Sequence, residues 1–574
     1  MRSFILYSLL LITGIAQAGT SAVVYVGSDQ SCDHSSITAA SFQEPATDLL
    51  EIRVPKNYVL TGLELFDDRN TILRGGYDTC TDSTVSGKTV LTGTGTGPIF
   101  VATVGTSTST LTELSLINLE ISGGNSTDNG GVVNLIGSWD LRLNNTSLLN
   151  NNSNRYGGAI AIQPNDDANV LTPKVSIYGN SILSNNSAVN GGAIACEGGG
   201  AISVWKSQLA FNEAQINGGA VFVHNGCKFY QYGAGLFQGI LFNTAGQSGG
   251  GISASNDSLI YINSNVFNAG SALVSSNSAP NGGGIFVSGE SRLEALDAMI
   301  NNNTATITGG GIRSTAGHIS IRRTRPGAQC HNEVRCSTVS SNSVSSTEPA
   351  YGGGGAIATF GGTLEIKGTY IENNSANYGS AIRARYMPFD FDSNFTMVGN
   401  VVAKNRNAPQ VVYLDESSAE IAFTTFVDNE DMARVIEMSY PSTSADGNEV
   451  LISGSIFDHP GSTIPSAVLT TSGQPPTGDC NRNEPNSIGD DLVGQSRSGT
   501  GLVAYEDRTG GDYRLENFST YVDYCDSSFM GLLSDVSANG LPKPVDNTIS
   551  NVHGTYDLGG LERYDFDLIF KDNF

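Results

Sequence analysis

One short pattern constrains this chain more than anything else in it. An apolar residue, two variable residues and an asparagine recur through the middle of the sequence, at Asn152, Asn186, Asn212, Asn243, Asn277, Asn303, Asn342 and Asn374. Each asparagine is followed by a glycine-rich step into Ile or Val, at Ile160, Ile194, Val221, Ile252, Ile285, Ile312, Ile357 and Ile382. The offsets are 8, 8, 9, 9, 8, 9, 15 and 8 residues, while successive asparagines lie 26 to 39 apart. Weaker copies extend the series, Asn125 leading to Val133 and Asn405 and Asn429 to Val412 and Ile436.

A period of that length marks a repeat architecture, in which each unit buries its apolar face on its neighbours. Helical repeats are excluded, because the segments are short β-branched runs such as Val175-Ser176-Ile177-Tyr178 bounded by Gly, Asn and Ser. The fold class predicted is therefore all-β: a right-handed parallel β-helix, one coil per repeat, with capped ends. Equivalent positions then stack about 4.8 Å apart, so an inward asparagine bonds to its copies above and below and to the turning backbone. The glycines supply positive φ or close approach between coils, and the Ile opens the next strand facing the core. The motif residues are accordingly read as structural.

Composition agrees. Gly makes up 69 of 574 residues, about 12% against a usual 7%, and charged residues only 15%. A net charge of −25 excludes nucleic acid and electrostatic docking on anionic lipid, both of which need a basic face. Arg2, the apolar run from Phe4 to Ile15 and Ala16-Gln17-Ala18 read as a signal peptide over residues 1–18. No later stretch is long and apolar enough for a transmembrane helix. The expectation is a secreted or surface-exposed monomer, with an N-terminal cap and first coils over 19–108, repeats over 109–460 and closing coils, cap and tail over 461–574. The eight cysteines of an exported chain read as disulfides. Sequence proximity pairs Cys32 with Cys80, Cys330 with Cys336 and Cys480 with Cys525, leaving Cys196 and Cys227 either bridged or as buried thiols.

The chain resembles bacterial polymorphic outer membrane protein repeats, whose signatures are FxxN and GGA[ILV]. Phe426-Val427-Asp428-Asn429 fits the first; Gly157-Gly158-Ala159-Ile160, Gly191-Gly192-Ala193-Ile194 and Gly218-Gly219-Ala220-Val221 fit the second. Most copies depart from it by placing Leu, Ile or Val in the first position and, in three, Gly for Ala. The resemblance covers roughly residues 110 to 460 and implies a surface-exposed β-helix, of a kind that includes adhesins carried by an autotransporter barrel; no series of barrel strands follows here. Tyr25-Val26-Gly27, Cys32 and Leu73-Arg74-Gly75-Gly76-Tyr77-Asp78-Thr79-Cys80 look like the opening of secreted bacterial β-helix proteins, in which a strand and a small helix plug the first coil. Asp512-Tyr513-Arg514-Leu515, Gly540-Leu541-Pro542-Lys543-Pro544 and Tyr556-Asp557-Leu558-Gly559-Gly560-Leu561-Glu562 resemble the closing segment of choice-of-anchor β-helix proteins.

Parallel β-helices also house polysaccharide enzymes, so a lyase or glycosidase acting on an acidic polysaccharide is the rival expectation. Hydrolysis needs carboxylates a few ångströms apart on one face, whereas Asp67-Asp68, Asp166-Asp167 and Asp490-Asp491 are adjacent on a chain whose neighbours point to opposite faces. A lyase needs a base and cations. The densest cationic region runs from Arg313 to Arg335, with His318, Arg322, Arg323, Arg325 and His331; Arg383 shares the register of Arg313, and Arg385 and Tyr386 follow it. Arg313, Arg322, Arg323, Arg325, Arg383, Arg385 and Tyr386 form the candidate binding set, for an extracellular polysaccharide or cell-surface ligand. No catalytic residue is nominated. No cofactor is implied and no metal motif is present; calcium is left open, without a loop repeat to specify it.

Overall fold

The computed structural model describes residues 21–515, except 45–46, 166, 234–237, 265–271, 325–336, 350–351, 387–393, 440–449, 460–467, 472–475, 479–480, 485–502 and 510–511. The expected signal peptide, Arg325, Cys330, Cys336, Cys480, Cys525 and the closing motifs beyond Leu515 lie outside the described residues.

The chain is a parallel β-helix. A complete coil runs through four short strands, for example Ile194–Glu197, Ala201–Trp205, Gln208–Ala210 and Glu213–Asn217, before Val221–His224 begins the next. Two strands per coil belong to a 27-stranded sheet, the third to a 14-stranded sheet and the fourth to an 8-stranded sheet. The predicted Ile and Val positions form one column, Val133, Ile160, Ile194, Val221, Ile252, Ile285, Ile312, Ile357, Ile382, Val412 and Ile436, each opposite the next. All are fully buried in a core that runs unbroken from Val24 to Val468.

The asparagines form a ladder. The amide nitrogen and Nδ2 of Asn186 both donate to Oδ1 of Asn212 at 3.0 Å, and Nδ2 also donates to the Leu148 carbonyl at 3.0 Å. The same set repeats through Asn243, Asn277, Asn303, Asn342, Asn374, Asn405 and Asn429. The first member is a correction: Asn151, not Asn152, donates to Asn186 and in turn accepts from Gly124, while Asn152 sits one residue on, half-buried, bonded to Asn125. Leu148 and Leu149 both satisfy the apolar position of the pattern, but only Leu148 faces the core.

The residue before each ladder asparagine takes a left-handed turn, at φ between 50° and 58° from Asn150 and Asn185 through Asn373 to Asp428. Even Phe211 and Phe242 adopt it, their rings stacked 5.1 Å apart on the outside. In the glycine step the two residues do different work. Gly218 has φ 66°, and a Cβ on Gly219 would lie 2.0 Å from the Gly250 carbonyl of the next coil.

A second ladder went unread in the sequence. Five residues before most of the asparagines stands a buried hydroxyl or amide, Thr146, Ser181, Ser207, Ser337, Thr369, Asn400 and Thr424, while Ala272 and Ala298 hold the place in two middle coils. These too bond between coils, Thr146 N to Ser181 Oγ at 3.1 Å and Thr369 N to Asn400 Oδ1 at 2.9 Å. In the coils that carry it, both corners of the short strand hold buried polar groups.

At the N-terminal end, strand Ser21–Tyr25 pairs with Leu49–Pro55, and the helix Ile37–Gln43 lies between them. Ser36 caps the helix by accepting from Ala39 N, and Ile37 and Ala40 enter the core. Cys32 and Cys80 form the expected disulfide; Cys196 and Cys227 also pair, stapling adjacent coils. At the other end the antiparallel hairpin Tyr505–Asp507 and Asp512–Leu515 covers the outer face of the 14-stranded sheet, packing Val503, Tyr505, Tyr513 and Leu515 on Val401, Phe423, Val427 and Ile456.

Candidate functional site

The cationic set divides by strand and by burial. Alternation along Ile312–Arg322 turns Arg313 outward, and along Ile382–Arg385 it does the same for Arg383. The two share a column, but they are not on adjacent coils: Arg313 pairs with Ala358, and Ala358 with Arg383. The guanidinium of Arg313 lies 5.8 Å from the Phe286 ring and 5.0 Å from the Phe360 ring, and donates to Asn281 Oδ1. Arg383 lies 6.0 Å from the Phe360 and Tyr378 rings and 5.5 Å from that of Tyr413.

Arg383 is 1% exposed although it is on the outer face. The insertion behind the 15-residue offset explains this, since its backbone folds over the guanidinium, which donates to the carbonyls of Gly352 and, at 2.7 Å, Pro349. Burial pushes Arg313 and Arg383 below the usual arginine value, and Arg323, 3% exposed, likewise.

Arg322, Arg385 and Tyr386 keep partial exposure. Arg385 Nε is 3.2 Å from Asp415, whose carboxyl burial raises against the pull of the two arginines; Tyr386 N donates to the Asp415 carbonyl at 2.9 Å. Arg322 projects from the far end of the strand that carries Arg313, with Glu365 3.9 Å away. Desolvation would raise Glu365, but bonds from Lys367 and Ser320 bring it below its ordinary value. His318 lies between Thr363 and Glu290, at 2.9 and 3.3 Å. The set therefore forms two separate outward strips, with carboxylates beside both.

Two further features had no sequence signal. A groove of about 710 Å³ follows the edge where the 8-stranded sheet ends, lined by Val344, Ala376, Ala408, Pro409 and Met432 among others. Beneath the C-terminal hairpin, Arg508 joins two carboxylates from successive coils, with Nε 2.9 Å from Asp428 and Nη1 2.8 Å from Asp458. Burial pushes Asp458 up to about 6 and the neighbouring His459 down to about 3. One guanidinium bridges the pair under a cover, which makes it a fastening for the hairpin. No group of three or more His, Cys, Asp or Glu side chains suited to a metal occurs among the described residues. Asp68, one of the adjacent aspartates, accepts from the Thr112 hydroxyl at 2.5 Å.

No protein-family model, curated protein or solved structure matches the chain.

Proposed function

We propose that this is an exported or cell-surface β-helix that presents a long register-locked face to an acidic polysaccharide, and binds it without turnover. The observation that carries the reading is the columnar outer surface: outward side chains recur one coil apart in fixed register, as in the solvent-reaching run Arg292, His318, Thr363, Asn394, Ser418. An extended polymer laid along such a face meets several coils at once, so weak contacts multiply. The half-exposed guanidiniums of Arg322 and Arg385 supply cations for uronate groups. Two disulfides among the described residues support an oxidising, extracellular setting.

The test is to mix the purified protein with a panel of uronate polysaccharides and follow both binding and the appearance of new chain ends. Binding with no new reducing or unsaturated ends, weakened by Arg322→Ala with Arg385→Ala, is expected. New ends would establish the rival enzyme, and no binding across the panel would reject glycan contact altogether.

A further inference from the structure

The outer face carries a second concentration of unusual side chains, several coils before the arginines. Strands Lys174–Tyr178, Ala201–Trp205, Lys228–Tyr232 and Leu259–Asn263 lie side by side in register. Their outward positions hold Trp205 opposite Tyr232, and Ser176, Ser203, Tyr230 and Tyr261 in the next column. The Trp205 and Tyr232 rings are 4.1 Å apart, Tyr230 is 6.3 Å from Tyr232, and Tyr261 lies 6.0 and 6.3 Å from those two tyrosines. All four rings are partly exposed to solvent.

Charge changes sign here. The whole chain has 55 acidic against 30 basic residues, yet these four strands contain two lysines, Lys174 and Lys228, and no Asp or Glu. Lys206, directly after Trp205, adds a third exposed cation. Glu197 and Asp257 precede two of the strands but lie outside them, and the flanking coils place Glu294 opposite Tyr261 and Asp140 opposite Lys174, which bounds the basic patch to these four strands. Trp and Tyr combine an apolar face with a polar edge, which suits them to surfaces that bind ligands with one apolar and one wet side. A pyranose ring is such a ligand, since its axial C–H bonds are attracted to the negative face of an aromatic ring and its hydroxyls remain for Ser203 or solvent. The spacing of coils is also close to the length of one sugar in an extended chain.

We infer that Trp205, Tyr230, Tyr232 and Tyr261, with Lys174, Lys206 and Lys228, form a binding site for a uronate-bearing glycan, the rings stacking on pyranose faces and the lysines meeting carboxylates. This rests on the glycan-contact reading and adds to it a second contact, on different coils from the arginines.

The chain carries its own reporter. It has two tryptophans, and Trp139 is buried with Nε1 donating to the Thr103 carbonyl at 2.8 Å. Acrylamide therefore quenches Trp205 selectively. The experiment titrates the full chain with oligogalacturonate, and with a neutral cello-oligosaccharide of equal length, following tryptophan emission and heat in parallel. Oligogalacturonate should shift the emission saturably and cut acrylamide quenching at least twofold. Tyr232→Ala with Lys228→Ala should weaken affinity at least tenfold with an unchanged circular dichroism spectrum. Heat of binding without any Trp205 response would overturn this site and leave the glycan reading standing. Equal affinity for the neutral oligomer would overturn the role of the lysines. No heat with any glycan would remove both the site and the reading beneath it.

Discussion

At the residue scale the fold depends on paired polar groups at fixed corners. Asn151 and Asn152 are neighbours of the same type with different work to do, which makes them a direct comparison. Asn151→Ala strips the acceptor from the Gly124 amide and takes one of two donors from Asn186 Oδ1, which keeps the Asn151 amide; the orphaned Gly124 amide costs about 1–3 kcal/mol. Asn152 is half-buried and bonds Asn125 at the surface, so Asn152→Ala should change stability by no more than about 0.5 kcal/mol. Chemical denaturation of the two variants checks this; equal losses would show that the ladder begins elsewhere. A second pair isolates the glycine step. Gly219→Ala drives a methyl into the backbone of the next coil, whereas Gly226, at φ 77° with open space around it, should lose only the about 1–2 kcal/mol that a left-handed alanine costs. Melting curves should rank Gly219→Ala far below Gly226→Ala.

At the element scale, what the sequence disclosed depended on how local the cause was. The column from Val133 to Ile436 was legible because every coil repeats the same apolar entry after its glycines. The first asparagine was misread because Leu148-Leu149 followed by three asparagines permits two registers, and only burial of Leu148 decides between them. The hydroxyl corner was missed although its signal, a Ser, Thr or Asn five residues before the ladder, was present; such residues are too common to notice singly. Arg383 is legible in the sequence as sharing the register of Arg313, but its burial depends on the loop from the previous coil, a contact no local pattern encodes. The C-terminal hairpin is another such long-range element, and it carries a pH prediction. His459 is held neutral in the folded chain down to about pH 3, whereas an unfolded histidine takes its proton near 6.5. Its contribution is therefore complete above about pH 6.5 and is lost as pH falls toward 3. Asp458, raised to about 6, acts in the opposite sense, adding stability as pH falls from 6 toward 4. The histidine shift is the larger, so the cover should loosen on acidification, seen as faster proteolysis near Arg508 at pH 4.5 than at pH 7.5. His459→Gln should abolish the loosening and leave the opposite Asp458 dependence; an unchanged pH profile would contradict it.

At the scale of the whole molecule, a rod of stacked coils separates scaffold from surface. The asparagine and glycine motifs are committed to holding the coil, which leaves outward columns free to differ from coil to coil: aromatic with lysine around Trp205, arginine between aromatic rings around Phe360, and hairpin-covered near Val427. A surface of this kind gains affinity by length, because each added sugar that reaches another coil binds as an intramolecular event. Contacts to carboxylates should also weaken with salt, as screening predicts for partly exposed ion pairs. The most direct measurement is the calorimetric affinity of the intact protein for uronate oligomers of increasing length at fixed ionic strength. The account predicts that affinity rises at least tenfold from a tetramer to a dodecamer with no cleavage of either. A tetramer that binds as tightly as the dodecamer, or an oligomer that is shortened during the titration, would contradict it.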